Sequence, residues 1–264
     1  MADRLTDLLH IHSDDGTTVR IGPVDQHGPF LFGGLSTAMA IRVAAERIDD
    51  HLVPLSVRMN FVRAARWEPI DVTVYETNTT RAFAGRRLEF VQDGRVVIVA
   101  DVTFHVPEEG VEIDHEPAVD MPRPDDLKTI IAGGEVQAYP MELKLLRGDP
   151  PPTPQRVHPY WSRALNEIPD TPVWHAAALG FTSDYLVIHA PFEPGTDEGA
   201  ALVSLTLEHS VTFHRPFRAD GWLLFDALPV VRSGGRVYTT GSVHDEQLRR
   251  VASIVQTGFI RPRK

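Results

Sequence analysis

One pattern of hydrophobic residues occurs twice along the chain, and it constrains the fold more than any other feature. Each half contains an apolar helical stretch, over residues 33–45 in the first half and 173–188 in the second. Four segments with the length and alternation of β-strands follow each helix. The repeat indicates a duplication in which each half packs one helix against an antiparallel sheet, which is an α+β fold. The strand candidates are residues 55–62, 70–76, 85–91, 96–106, 201–213, 222–228, 236–243 and 251–260.

A proline-rich, acidic stretch at residues 107–126 separates the two halves and is typical of a linker. The pair Asp93-Gly94 predicts a tight hairpin turn in the first half. A second proline-rich cluster, at residues 148–154, predicts a loop between strands of the second half. We therefore predict an N-terminal domain over residues 1–110, a linker over 111–135 and a C-terminal domain over 136–264.

The composition excludes several kinds of protein. The 264 residues contain no cysteine, which excludes disulfides, a thiolate nucleophile and cysteine-bound metal. The formal net charge of −10 argues against nucleic-acid binding, because phosphates are neutralised by clustered cations. No apolar stretch approaches the ~20 residues of a membrane span, and the N-terminus lacks the pattern of a secretory signal. We expect a cytoplasmic protein with no membrane span.

Several well-known catalytic motifs are missing. The sequence has no Gly-x-Ser-x-Gly elbow, which argues against a serine hydrolase of the α/β type. It has no glycine-rich phosphate-binding motif, and none of the 12 histidines has the spacing of metal ligands. We therefore expect neither a metal ion nor a cofactor.

Five short motifs carry a resemblance to a known family. They are Phe32-Gly33-Gly34, Ser183-Asp184, residues 205–210, residues 213–217 and residues 255–258. With these motifs the chain resembles the acyl-CoA thioesterase II family over nearly its whole length. The resemblance implies a double hotdog, in which two antiparallel sheets each wrap around a long helix and pack as a pseudo-dimer. It also implies hydrolysis of acyl-CoA thioesters to free acid and CoA.

The resemblance further implies that Asp184, Thr206 and Gln256 hold the catalytic water. Such chemistry needs no protein nucleophile, because a carboxylate can take a proton from water. Polar side chains fix the position of the water, and backbone amides at a helix N-terminus stabilise the oxyanion. We expect Asp184 near the start of the central helix of the second half.

The strand pattern gives each residue a plain structural explanation as well. Aspartates such as Asp184 are common on protein surfaces and at the starts of helices. Thr206 falls on a polar alternation opposite an apolar face that contains Leu205 and Leu207, and such polar faces are usually solvated. Gln256 shares its face with Ile254, so we expect it to be buried and hydrogen-bonded. Only the three residues together, in their family contexts, indicate a site.

Basic residues of the second half are candidates for CoA contacts. His214 and Arg215 belong to the motif Phe213-His214-Arg215-Pro216-Phe217, whose aromatic residues are explained by packing at a strand end. Guanidinium groups suit phosphate, so further candidates are Arg218, Arg232 and Arg236. The chain also departs from the family pattern at Leu35, Glu208, Val211, Thr212 and Thr257, and the missing tryptophan at Thr212 suggests an altered acyl pocket.

Two other functions stay open. A hotdog enoyl-CoA hydratase carries the motif Asp-x-Asn-Pro-x-His, and Asp184 is followed five residues later by His189, but without the Asn-Pro pair. A protein of this fold can also bind acyl-CoA or a partner without catalysis, because a fold does not fix function. The acyl chain length is not determined, and the oligomeric state is open, a homo-oligomer included.

Overall fold

The computed structural model describes residues 5–13, 18–21, 30–127, 129–131, 140–145, 159–185, 187–190 and 202–262. These residues form three α-helices and thirteen strands of one antiparallel sheet. The elements of the first half are α1 (Leu5–Leu8), β1 (His12–Ser13), β2 (Thr18–Ile21), α2 (Gly33–Ala45), β3 (Val53–Phe61), β4 (Ile70–Thr79), β5 (Phe83–Gln92) and β6 (Arg95–His105). Those of the second half are β7 (Thr129–Ile131), β8 (Met141–Leu145), β9 (Tyr160–Ala164), α3 (Pro172–Ser183), β10 (Leu202–Phe213), β11 (Leu223–Ser233), β12 (Arg236–His244) and β13 (Arg250–Pro262).

The strand order shows the duplication directly. The first half runs β1-β2-β4-β5-β6-β3, and the second continues as β10-β13-β12-β11-β9-β8-β7. Read from its outer edge, the second half has the same order as the first, with one additional strand, β7, at that edge. The expected α+β double hotdog is confirmed, but the two predicted sheets are joined into one. They join because β3 and β10 pair through their backbones, from Asn60 with Glu208 to Ser56 with Thr212.

The same irregularity occurs at equivalent places in the two halves. In β10 the register against β13 shifts between Thr206 and Glu208, so that one extra residue bulges from the strand. In β3 the register against β6 shifts between Pro54 and Ser56. Since Phe61 and Phe213 end these strands, the two bulges lie at the same distance from the strand ends. This shared bulge supports a common origin of the halves.

The two central helices pack against each other beneath the sheet. Gly34 of α2 lies so close to Phe181 of α3 that a Cβ on Gly34 would overlap the Phe181 carbonyl oxygen. Gly180 of α3 also lies near α2, because a Cβ there would stand 3.0 Å from Ile41 Cδ1. Phe32 and Phe181 meet edge to face, with ring centroids 5.3 Å apart. The hydrophobic core is therefore continuous across the two halves.

The two helices begin in different ways. Thr171 caps α3 by accepting a hydrogen bond from the Trp174 N–H, and Pro172 occupies the first turn, where its missing donor costs nothing. Phe32 stands at the corresponding place before α2 and offers no side-chain cap. The first amides of α2 are therefore available to groups from elsewhere in the fold.

Both predicted helices and all eight predicted strands are present. Helix α3 ends at Ser183, earlier than expected, and Asp93 and Gly94 have the positive φ values, 49° and 68°, of the predicted hairpin turn. The pattern missed the short strands that precede each central helix. Over residues 111–123 the predicted linker contains no helix or strand, but a short 3-10 helix (Pro124–Asp126) and β7 lie within its bounds. The loop predicted at residues 148–154 lies outside the described residues.

Candidate active site

Asp184 lies at the C-terminal end of α3, where it is the C-cap residue. The expectation that it would stand near the start of this helix is wrong. Thr171 and Pro172 provide the start signals twelve residues earlier, so the chain reaches Asp184 only after the last helical turn. A helix N-terminus is nevertheless close by, because the first turn of α2, from the other half, faces Asp184.

Two glycines make this approach feasible. The backbone N–H of Gly34 donates a hydrogen bond to the Asp184 carboxylate. A Cβ on Gly33 would stand 2.6 Å from Asp184 Oδ2, so any larger residue there would displace the carboxylate. The Gly33-Gly34 pair thus lets a carboxylate of the second half contact the positive end of a helix of the first half.

Thr206 faces the same carboxylate because of the bulge in β10. In a regular strand, residues 206 and 209 would point to opposite faces of the sheet. The extra residue between Thr206 and Glu208 reverses the alternation, so Thr206 shares the inner face with His209 and Gln256. Its hydroxyl oxygen lies 3.4 Å from Asp184 Oδ1, a long hydrogen bond. The polar-face prediction from simple alternation is therefore wrong for Thr206.

Gln256 is buried, as expected, with 1% of its surface exposed. Its amide nitrogen donates a hydrogen bond to Asp184 Oδ1. The same nitrogen lies 3.3 Å from Nδ1 of His209, which is the Cα partner of Gln256 across the sheet. Its amide oxygen has no hydrogen-bond partner among the described residues. The side chains of Thr206 and Gln256 thus converge on one carboxylate oxygen of Asp184, which brings the three predicted residues together.

The environment of Asp184 perturbs its protonation. Burial raises the pKa of the Asp184 carboxyl to about 7, because removing the charged form from water is unfavourable. Hydrogen bonds from Gln256, Thr206 and the Gly34 backbone oppose this rise, because each stabilises the carboxylate. A carboxyl group with this pKa can take and return a proton near neutral pH.

A cavity of about 300 Å³ opens beside this carboxylate, between the two halves. Asp184 and Thr206 form its polar wall together with Ser204, and Arg63 is also at the wall. Gln256 does not line the cavity and meets Asp184 from the buried side. The apolar lining comes from both halves: Phe30, Leu31, Phe32, Phe61, Val62, Ala64, Ala65, Ile98, Ile188, Leu205, Leu207 and Phe259.

None of the five predicted CoA-contact residues lines this cavity. Arg215 forms ion pairs with Glu112 and Asp114 of the interdomain stretch, at 3.1 and 2.7 Å. Arg218 pairs with two aspartates, and His214 contacts the Ser253 hydroxyl. The others, Arg232 and Arg236, lie on β11 and β12.

The sequence reasoning missed the contribution of the first half to the cavity. The available signal was that Phe61-Val62-Arg63 holds the same place in the first half as Phe213-His214-Arg215 in the second. Thr212, where the family tryptophan is missing, is exposed, and Val211 is buried. Neither residue lines the cavity. The effect of the missing tryptophan at Thr212 on an acyl pocket stays a prediction. The His189 side chain lies outside what the structure describes.

The described part of the chain lacks two further features. There, no group of three or more His, Asp or Glu side chains is arranged to hold a metal ion. No helix in the same part is long and apolar enough to cross a membrane.

Comparison with known proteins extends this picture. Residues 114–260 match the family model described as acyl-CoA thioesterase C-terminal domain, and residues 21–105 match the acyl-CoA thioesterase N-terminal domain. Acyl-coenzyme A thioesterase 8 of Rattus norvegicus is 27% identical over 88% of this chain and 80% of that protein. Acyl-CoA thioesterase 2 of Haemophilus influenzae is 24% identical, with 99% of both proteins covered.

Solved structures agree on the fold. The acyl-CoA thioesterase II TesB2 of Mycobacterium marinum superposes with a TM-score of 0.82 at 24% identity, covering 98% of both chains. The dehydratase domain of PpsC from Mycobacterium tuberculosis, solved with C12:1-CoA, gives a TM-score of 0.51 at 13% identity. Since the two family models together span nearly all of the sequence, the chain belongs to the acyl-CoA thioesterase family with paired N- and C-terminal hotdog domains.

Proposed function

We propose that this chain hydrolyses acyl-CoA thioesters to free acid and CoA, using a water molecule activated by Asp184, Thr206 and Gln256. One observation carries the proposal. At the wall of a largely apolar cavity, a single carboxylate receives hydrogen bonds from Thr206, Gln256 and the first turn of α2. The family membership and the names of the relatives support the substrate class.

In this mechanism Asp184 is the general base. A water molecule beside Thr206 gives a proton to the carboxylate while its oxygen attacks the thioester carbonyl carbon. The pKa of about 7 suits this step, because the base form is populated at neutral pH and still binds a proton well. The carbon–sulfur bond then breaks, and the departing sulfur takes the proton back from Asp184 as CoA thiol. No covalent bond to the protein is formed.

The negative charge on the carbonyl oxygen needs donors, and the start of α2 offers them. Phe32 provides no side-chain cap and the Gly34 N–H donates to Asp184, so the neighbouring amides of the first turn of α2 are the proposed donors to the carbonyl oxygen. Gln256 donates to Asp184 from the buried side, which favours the ionised base. Thr206 borders the cavity on the other side, where its hydroxyl can fix the water.

The cavity suggests where the substrate lies. Its aromatic lining, including Phe61 and Phe259, suits an acyl chain, since burial of apolar surface is favourable. Arg63 is placed to meet the polar CoA portion at the cavity wall. The roles of His214, Arg215, Arg218, Arg232 and Arg236 at CoA stay predictions, as do the domain boundaries, the cytoplasmic location and a homo-oligomeric state.

The proposal is tested by thiol release from acyl-CoAs of short, medium and long chain. Wild-type protein should release CoA, and Gln256→Ala should lower kcat by ~10²-fold or more while remaining folded. Ser162→Ala is the matched control, because Ser162 is a buried polar residue of β9 outside the cavity wall. Equal turnover of wild type and Gln256→Ala would refute the water mechanism, as would an acyl-enzyme trapped for mass spectrometry.

A hotdog hydratase remains the second candidate, supported by the spacing of Asp184 and His189 and by the fold shared with a dehydratase domain. Hydration of crotonyl-CoA that is lost in His189→Ala would favour it. A binding protein without catalysis would instead be stabilised by acyl-CoA in thermal melts and release no thiol.

A further inference from the structure

We propose that His209 is a positioning residue for this reaction, which holds the side-chain amide of Gln256 with its NH2 group toward Asp184. The inference rests on the proposed function, since it assigns a role to a group that acts through Gln256. His209 lies on β10 directly beside Gln256 of β13, where the two residues are Cα partners. Its ring is fully buried and makes hydrogen-bond contacts at both nitrogens.

The ring is neutral in the folded protein. Burial lowers the pKa of His209 to about 3, because a charged imidazolium is unfavourable away from water. A neutral imidazole has one N–H donor and one acceptor nitrogen, so it must present a different group to each of its two neighbours.

The neighbour on α3 decides which nitrogen carries the hydrogen. The Ser183 hydroxyl donates to the Gly180 carbonyl oxygen at 2.8 Å, which uses its one hydrogen. It therefore accepts from Nε2 of His209, also at 2.8 Å. With the hydrogen on Nε2, Nδ1 is the acceptor that faces Gln256. The last turn of α3 thus selects the His209 tautomer.

That tautomer determines how the Gln256 amide is oriented. Nδ1 lies 3.3 Å from the amide nitrogen, and a flipped amide would place its oxygen against the Nδ1 lone pair. On the other side the Gln256 oxygen has no hydrogen-bond partner among the described residues. The orientation therefore depends on two contacts of the nitrogen, one to His209 and one to Asp184.

The contact to His209 matters most when Asp184 is protonated. A carboxylic O–H can donate to an amide oxygen, so an unrestrained Gln256 would flip and stabilise the acid form. His209 opposes this flip and keeps Asp184 a base at lower pH. The neighbouring tyrosines do not contribute to the acidic limb of the pH profile. Burial raises the pKa of both Tyr160 and Tyr185, so their hydroxyls stay neutral over that range. Glu208 is exposed, and the first turn of α2 carries no charged residue.

Two substitutions at His209 separate its two contacts. His209→Asn can place a side-chain oxygen where Nδ1 stands, which preserves the acceptor for Gln256. His209→Gln can place its amide nitrogen where Nε2 stands, which preserves the donor to Ser183 only. We expect the acidic limb of the pH profile of kcat/KM to keep its wild-type position in His209→Asn. In His209→Gln the limb should move up by about one pH unit. At neutral pH, kcat should fall ~10-fold for Gln with little change in KM.

His175→Phe is the matched control. His175 is also buried and bonded at both ring nitrogens, to Asp170 and to the Ala219 N–H, but it does not touch Gln256. Its removal should lower the melting temperature without moving the acidic limb. Identical limbs for His209→Asn and His209→Gln would overturn the inference. Absence of thiol release by the wild-type protein would instead refute the proposed function itself, so the two failures are distinguishable.

Discussion

Replacing Asp184 by asparagine should make the protein more stable at neutral pH while abolishing its turnover. The pKa of Asp184 is raised from the ordinary 3.8 to about 7 by burial, so folding costs free energy whenever the group is ionised. The difference of about three pKa units corresponds to about 4 kcal/mol at pH values above 7. Asparagine has a similar shape, and its one side-chain oxygen can accept the hydrogen bonds that reach Asp184 Oδ1, but it never carries the buried charge.

The sign of the pH dependence follows from proton binding. Between about pH 4 and pH 7 the folded wild type holds a proton on Asp184 that the unfolded chain releases, so its stability falls as the pH rises. The Asp184→Asn variant lacks this loss. Its free energy of unfolding relative to wild type should therefore rise by roughly 1.4 kcal/mol per pH unit in that window and level off above about pH 7.

Urea unfolding at several pH values, followed by fluorescence, measures this difference. Asp114→Asn provides a control of opposite sign, because hydrogen bonds from Arg215 lower the pKa of the Asp114 carboxyl. That variant should lose stability, and lose more at neutral than at acidic pH. A stability difference for Asp184→Asn that is independent of pH would show that the carboxylate is not buried in the manner described.

Three further outcomes are expected. Gly33→Ala should lower kcat by ~10-fold or more with little loss of stability, because its Cβ would displace the Asp184 carboxylate, and unchanged kcat would refute this contact. Thr206→Val should lower kcat by ~10-fold while melting at nearly the wild-type temperature, which steady-state kinetics and a thermal melt together check. Arg63→Gln should raise KM for acyl-CoA by about threefold or more with kcat retained, and the same measurement on Arg218→Gln shows which half provides the main CoA contact. A larger KM effect at Arg218 would move the CoA contact to the second half.

The fold was accessible from the sequence because it depends on regular patterns. Helical spacing in the segments that became α2 and α3, and alternation in eight strands, each gave a local signal strong enough to show the duplication. Gln256 was predicted to be buried for the same reason, since it shares a face with Ile254. The short strands β7 to β9 were missed because they are three to five residues long and follow no sustained alternation.

The geometry of the site was less accessible, because it depends on two irregular features. One extra residue between Thr206 and Glu208 reverses the inward face of β10, and strand alternation read from the sequence cannot show where such a bulge falls. The partner helix of Asp184 is 150 residues away in the sequence, since Gly34 belongs to the first half. Only the packing of α2 on α3 brings them together.

The paired bulges have a consequence for the number of sites per chain. In the first half, the positions that correspond to Thr206, His209 and Gln256 are Pro54, Val57 and Val102, all of them buried and unable to bind water. In a dimer of identical subunits every substitution is present in both subunits. Two copies within one chain can instead change independently. In this chain the second half provides the polar side chains of the site, and the first half provides the helix N-terminus that has no side-chain cap. A titration with a non-hydrolysable acyl-CoA should accordingly saturate at one equivalent per polypeptide.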